Sequence, residues 1–377
     1  MRRILVGVLL LGACSSNKPV APKDPAQPIV HSMSAGALDS LPRMSLTSGR
    51  LICLVDAGAP CPTTPATANW LRDGKYATWE LRKAVEIWSP DKTDPQLLGE
   101  VGVTDSQYDI VLSAAATRSG YIILNLSPGR SSALLYDSRG RYTSNLPMPP
   151  VSMTKSRGYS GNVAFFQLIH EAGRDSAAEF DVREVDGPGD TIGVSVLKAR
   201  LPWLRIRDGR ATGPLPLFPT LPSYALAADS DIVWGNSDLF NFERRSPTGA
   251  IRWKLTTDAP GPPITKAELA AIRAKLPQND KTKLAGFDSS AAHTGNFFPA
   301  ASGLFVGPDG RVLVAGPQLP TRDSVEYVLL DRTGLPTGRL GMPKLTRPLL
   351  FAGDSVLVQR AGANANQELR WLVIGKP

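Results

Sequence analysis

Histidine and cysteine are scarce in this chain, with three of each in 377 residues. So few cysteines exclude a disulfide-dense miniprotein. Widely separated His31, His170 and His293 give no metal-ligand spacing of the kind a multi-histidine zinc site needs. Charged residues make up 20% and hydrophobic residues 42%, which leaves material for a core and excludes a disordered chain. Long apolar runs are missing as well. The one apolar stretch, Ile4 to Leu11, is too short to span a bilayer as a helix, which excludes a polytopic membrane protein. Heptads are absent, and so is a run of lysine and arginine. The net charge of +8 therefore reads as scattered surface charge and not as a nucleic-acid footprint. At most it supports attraction to anionic envelope polymers or lipids. Glycine and proline, by contrast, are plentiful at 34 and 33 residues, as a fold with many tight turns requires.

The N-terminus reads as an address. Arg2 and Arg3 precede the apolar run, and Leu11-Gly12-Ala13-Cys14 closes it before the polar Ser15-Ser16-Asn17. A cationic start, an apolar segment and small residues before a cut mark a secretory signal. The four residues 11–14 resemble the lipobox of bacterial lipoproteins. That resemblance implies a signal peptide over 1–13, lipid on Cys14, and a mature charge of +6 once Arg2 and Arg3 are lost. Two or three acyl chains on one residue anchor stably where one would not. Ser15 implies, by the same resemblance, the outer membrane ahead of the inner one.

Residues 14–42 are expected to form the lipidated N-terminus and a tether. Pro19, Pro22, Pro25 and Pro28 fall three apart, a pattern that favours an extended chain of about 3.1 Å per residue. Cys53 and Cys61 remain. In an oxidising compartment they are candidates for a disulfide across the turn-rich stretch between them, the alternative being two free buried thiols.

From residue 43 to 377 the pattern is short apolar strands bounded by Gly, Pro, Asp and Asn. The clearest unit runs Gly303–Val306, the turn Pro308-Asp-Gly310, Arg311–Ala315, Val325–Leu330, the turn Asp331-Arg-Thr-Gly334, then Leu335–Met342. Four antiparallel strands in about 40 residues are the size of one propeller blade. The order recurs, imperfectly, near 107–147, 151–197 and 200–258. A first unit is drawn near 49–103 from Leu51–Val55, Leu81–Trp88 and Leu97–Val101. The last unit, from 346, lacks a fourth strand, and residues 31–48 are placed to supply it and close the ring. The expectation is an all-β propeller of six blades, with seven as the alternative.

Pro308-Asp-Gly-Arg-Val-Leu-Val-Ala315 and the Asp-x-x-Gly turns at 137–140 and 331–334 resemble repeats of NHL-like and TolB-like six-bladed propellers of bacterial lipoproteins. Thr248-Gly249-Ala-Ile-Arg-Trp253 is similar to the blade motif of quinoprotein dehydrogenases and of the propeller lipoprotein of β-barrel assembly. It occurs once where those proteins carry it in many blades, so Trp253 reads as a core residue and not as a sign of a quinone.

Residues 256–299 break the β pattern. Thr265-Lys-Ala-Glu268 has the form of a capping box, and Leu269, Ile272 and Leu276 follow at helical spacing before Pro277. A helix here is expected within an insertion that covers a channel mouth, binds a partner, or only packs.

No catalytic constellation emerges. Ser152-Met-Thr-Lys155 fits S-x-x-K without the Lys-Thr-Gly partner that family carries, and there is no nucleophile elbow, P-loop or Rossmann glycine set. Asp229 and Asp231 read as turn residues, with calcium ligation as the rival. No cofactor is implied beyond a structural calcium. The reading is a membrane-anchored, non-catalytic binding or scaffold module for a protein, peptide or glycan. The alternatives are an NHL-like lyase or hydrolase working at the channel mouth, and a structural subunit of an envelope complex.

Overall fold

The computed structural model describes residues 27–54, 66–147, 154–201, 204–361 and 367–376, apart from residues 72, 91, 93, 118, 128–129, 161–162, 173–174, 185–190, 208–209, 213–214 and 228 within those ranges. Cys14, Cys61, Ser152, Met153 and Trp203 lie outside the described residues, as do the signal and most of the tether.

In chain order the described part begins with β1 (Ile29–Met33), a one-turn helix α1 (Ala35–Asp39) and β2 (Ser45–Leu54). A four-stranded antiparallel sheet follows, built from β3 (Thr67–Trp70), β4 (Tyr76–Trp79), β5 (Val85–Trp88) and β6 (Gln96–Leu98). The next holds β7 (Ile110–Ala116), β8 (Gly120–Ser127), β9 (Arg130–Asp137) and β10 (Tyr142–Pro147). Then come β11 (Thr154–Ser160), β12 (Val163–Ala172), β13 (Asp175–Glu184) and β14 (Thr191–Leu201), with a small ribbon of β15 (Arg205–Arg207) and β16 (Arg210–Thr212). A further sheet contains β17 (Pro222–Leu226), β18 (Ile232–Asn236), β19 (Phe242–Arg245) and β20 (Ile251–Thr257). After helices α2 (Lys266–Arg273) and α3 (Lys281–Ala292) the chain adds β21 (Gly303–Val306), β22 (Val312–Ala315), β23 (Ser324–Leu330) and β24 (Pro336–Pro343). It ends with β25 (Thr346–Ala352), β26 (Ser355–Ala361) and β27 (Gln367–Gly375).

The first strand of each sheet neighbours the first strand of the next, in the cycle β3, β7, β11, β17, β21, β25 and back to β3. This is a β-propeller. Its alternating side chains explain why: in β22, Val312 and Val314 enter the core shared with the β17–β20 sheet, while Leu313 and Ala315 enter the core shared with the β25–β27 sheet. In β26 the same division sends Val356 and Val358 one way and Leu357 the other. Middle strands are therefore apolar on both faces and look like continuous hydrophobic runs, each sheet being buried between two neighbours.

The blade count needs a correction. The regular four-stranded blade occurs five times, not six; the remaining sheet has five strands, in the order β1-β20-β19-β18-β17. The extra strand, β1, pairs in parallel with β20, placing Ile29 opposite Trp253 and Met33 opposite Thr257. An outer edge offers unpaired backbone groups, and an exposed segment of almost any sequence can satisfy them.

The N-terminal closure expected from residues 31–48 holds in part, through Ser45–Ser48. It is β2, starting at Ser45, that lies antiparallel to β27 and completes the last sheet; residues 31–33 serve a different sheet. Leu51–Leu54, assigned to the first unit, belongs here, and the first unit starts instead at Thr67. Between the two, Met44 donates its backbone N–H to Arg339 O at 2.7 Å and Arg339 donates to Pro42 O at 2.9 Å. Residues 29–54 thus run along the outer edges of three consecutive sheets.

The insertion holds two helices where one was expected. Thr265 caps α2, its hydroxyl accepting from the Glu268 N–H at 3.2 Å. Glu268 does not complete the reciprocal box. Its buried carboxylate accepts from the backbone N–H of Thr321 at 3.1 Å and from the Thr321 hydroxyl, tying the insertion to the loop between β22 and β23. The α2 stripe is only half-buried, so tertiary bonding, not an apolar face, fixes the helix. Helix α3 has little amphipathic pattern, with Phe287 its one buried side chain, and Arg273 pairs with Asp288 across the two helices at 3.1 Å. Among the described residues no helix is long and apolar enough to cross a membrane.

Candidate functional site

The first strands of the sheets surround an axial cavity of about 620 Å³. Its described lining includes Thr67 and Asn69 of β3, Leu112 of β7, Tyr224 of β17, Phe305 of β21, and Arg347 and Leu349 of β25. They come from segments hundreds of residues apart. Each falls there because alternate positions of a first strand face the axis and the others face the strand's own sheet.

Hydrogen bonds between neighbouring sheets hold this wall in place. Asn69 Nδ2 donates to Ala114 O at 3.0 Å, and Trp70 Nε1 donates to Phe351 O at 3.0 Å. The Ala66 N–H donates to the buried Gln359 Oε1 at 3.0 Å. Within the β21–β24 sheet, Ser302 Oγ donates to Gly316 O at 2.5 Å. Tyr327, 4% exposed, is pushed up to about 12 by burial, so its phenol stays neutral and supplies no nucleophile at ordinary pH. Arg347 carries the lone charge of the described lining, in which there is no carboxylate and no imidazole. Apolar walls, fixed amide and hydroxyl groups and one exposed guanidinium can hold a ligand and orient an acidic group on it. From these residues there is no acid–base pair to carry a reaction.

A second feature sits at the hairpin turns of the β17–β20 and β21–β24 sheets. Arg244, 9% exposed, donates from Nε to Asp231 Oδ2 at 2.9 Å and from Nη2 to Asp229 Oδ2 at 2.5 Å. Asp229 Oδ1 also accepts from the Asp231 N–H at 3.2 Å. Burial, with the nearby Asp229, raises the Asp231 carboxyl from its ordinary value against the pull of Arg244. Both aspartates are thus committed to an arginine within a turn. Among the described residues no group of three or more His, Cys, Asp or Glu is placed to hold a metal.

The other singled-out residues are dispersed. His31 lies in β1, its Nε2 3.1 Å from Thr333 O and 3.3 Å from Thr333 Oγ1. His293 caps α3 with Nδ1 2.8 Å from Ser289 O. His170 is in β12, opposite Ala177. Cys53 is buried and disulfide-bonded, while Cys61, the partner expected from the sequence, lies outside the described residues. Trp253 is buried in the core between two sheets. The axial residues were missed by sequence reasoning because each is an ordinary strand residue whose placement only the closed ring reveals.

No protein-family model matches the chain, and no curated protein is detectably similar to it in sequence. Solved structures of similar shape exist at low identity. A Bacteroides fragilis protein described as exported is 10% identical, with a TM-score of 0.47 over 93% of this chain and 100% of its own. The β-propeller domain of the trilobed protease from Pyrococcus furiosus is 12% identical, with a TM-score of 0.38 over 81% of each chain. TolB from Acinetobacter baumannii is 12% identical, with a TM-score of 0.35 over 78% of this chain and 59% of its own. At these values the propeller assignment rests on the sheet cycle itself.

Proposed function

We propose that this protein is a cell-envelope lipoprotein, acylated on Cys14, whose propeller binds an extended peptide or protein segment without catalysis. The supporting observation is the axial cavity: apolar walls, inter-sheet hydrogen bonds that pre-set its shape, and Arg347 as its lone described charge. A segment carrying apolar side chains and one acidic residue matches that lining. A pre-formed concavity with apolar side chains and fixed polar groups, here including Thr67, Asn69 and Ser223, is the usual form of a binding site. The Pro-rich segment ahead of β1 would hold this ring clear of the headgroups, at up to about 43 Å for residues 15–28 at ~3.1 Å per residue.

The test uses the full-length protein in detergent and an array of fluorescent peptides, acidic-apolar against basic-apolar. Acidic-apolar peptides are expected to bind about tenfold more tightly, and Arg347→Glu should reverse the preference, as for one charge-assisted contact. Absence of any peptide binding would overturn the reading. So would turnover of ester, lactone or glycan substrates, with or without calcium. The anchor is tested separately by palmitate labelling, which Cys14→Ser should abolish.

A further inference from the structure

A second cavity, of about 330 Å³, opens at the seam where β2 and β27 meet the β3–β6 sheet. Its walls are aromatic. Trp70 and Trp371 lie 6.0 Å apart with planes at 31°, Tyr76 stands edge-on to both at 5.9 and 6.0 Å, and Trp88 stacks on Tyr76 at 6.3 Å and 12°. Tyr76 and Trp88 are buried and form the floor, whereas Trp70 and Trp371 are half-buried and reach the opening.

The polar ends of these rings are already used. Trp70 Nε1 donates to Phe351 O, Trp88 Nε1 donates to Thr78 Oγ1 at 2.9 Å, and the Trp371 indole bonds the Tyr76 hydroxyl. Burial pushes the Tyr76 phenol up to about 12, so it remains neutral. What the rings offer a ligand is therefore apolar carbon surface, chiefly that of the half-buried Trp70 and Trp371, held rigid in advance. At the rim stand two exposed cations, Arg50 and Lys92, and among the described residues no carboxylate lines the cavity. Arg50 is steadied by its Nη1 donating to Pro90 O at 3.0 Å.

We propose that this seam cavity binds an acidic saccharide. Ring faces of Trp and Tyr, with their negative quadrupoles, attract the C–H faces of a pyranose. Arg50 and Lys92 pair with its carboxylate through charge-assisted hydrogen bonds. The volume lies at the lower end of ligand sites, which suits a mono- or disaccharide. Four aromatic rings line this concavity, which lies beneath two cations. Trp70 also touches the axial cavity, but the rim cations do not.

The experiment titrates the full-length protein in detergent with digalacturonate and with its neutral counterpart galactobiose, reading tryptophan fluorescence and heat of binding. Digalacturonate is expected to give a saturable change and to bind at least about tenfold more tightly than galactobiose. The Arg50→Gln, Lys92→Gln double variant, altered only at exposed positions, should lose that preference about tenfold or more with an unchanged thermal midpoint. Arg347→Glu should leave it intact, which separates this site from the axial one. The proposal fails if digalacturonate gives no saturable signal, if galactobiose binds equally, or if the double variant binds as before. Tighter binding of an aromatic acid such as indole-3-carboxylate would likewise overturn it.

Discussion

Gly249 and Gly334 end equivalent turns in neighbouring sheets, with φ of 90° and 86° and their N–H groups donating to Ser246 O at 2.9 Å and Asp331 O at 3.0 Å. Alanine at either position is held in the left-handed region, at a cost of about 1–2 kcal/mol. Their surroundings differ. A Cβ on Gly249 would meet nothing within 4 Å, whereas one on Gly334 would fall 2.6 Å from Trp253 Cδ2 and 2.9 Å from Cζ3. Trp253 is 2% exposed and fixed in the inter-sheet core, so it cannot swing aside. Overpacking of that kind adds about 1–3 kcal/mol. Gly249→Ala should therefore destabilise by about 1 kcal/mol and Gly334→Ala by about 3 kcal/mol in urea unfolding at constant m. Replacing the indole should remove the difference. In a Trp253→Phe background the Gly334→Ala cost should fall to that of Gly249→Ala, a coupling of about 2 kcal/mol in a double-mutant cycle. Equal costs for the two single variants, or a coupling under about 0.5 kcal/mol, would refute the claim that a ring–turn contact sets this seam.

Other expectations are as direct. Burial opposes the charge on Glu368, but hydrogen bonds and charge from Arg360 and Arg370 outweigh it and hold the carboxyl below its ordinary value. The stability this contributes is present above the unfolded-state value and lost as pH falls through the lower folded one. Acid unfolding of Glu368→Gln should accordingly show a shallower pH slope below about 4.5, and Glu368→Ala should cost about 2 kcal/mol at neutral pH by removing the acceptor that the half-buried Arg360 and Arg370 share. Glu268→Ala removes the acceptor of the Thr321 groups, so amide exchange across 266–292 should quicken by about tenfold or more while β22 and β26 stay protected. Unchanged exchange there would show that the insertion is held by something else.

The strand order of the β21–β24 sheet was legible because its turns carry their own chemistry. Asp331 Oδ1 accepts from the Thr333 and Leu335 N–H groups at 2.8 and 3.0 Å, and Asp137 Oδ1 does the same for Arg139 and Arg141 at 2.9 Å. What a local pattern does not record is which edge a strand joins. Leu51–Leu54 looks like any strand, and only the position of β27, more than 300 residues later, decides its sheet. The segment Ile29–Met33 gives no clear strand signal because most of it is exposed on the outer edge, where pairing with β20 supplies backbone bonds and Thr256 Oγ1 donates to His31 O at 3.2 Å. Glu268 fitted a capping box, and a tertiary acceptor role won over the local one. Both cavities escaped sequence reasoning for a common reason: Asn69, Phe305 and Arg347, like Trp70, Trp88 and Trp371, become neighbours only when the circle is complete.

The strap of residues 29–54 sets a timetable for synthesis. Its contacts begin with residues 251–257, continue at Arg339 and finish on 367–375, so the earliest described part of the chain waits for the last to be made. Until then two long edges, on β2 and on the nascent final sheet, stay open to foreign strands, and pairings so distant in sequence form slowly. A chain delivered across a membrane from its N-terminus would need a holding chaperone throughout that interval, and truncation of even the final nine residues should leave the circle unfastened.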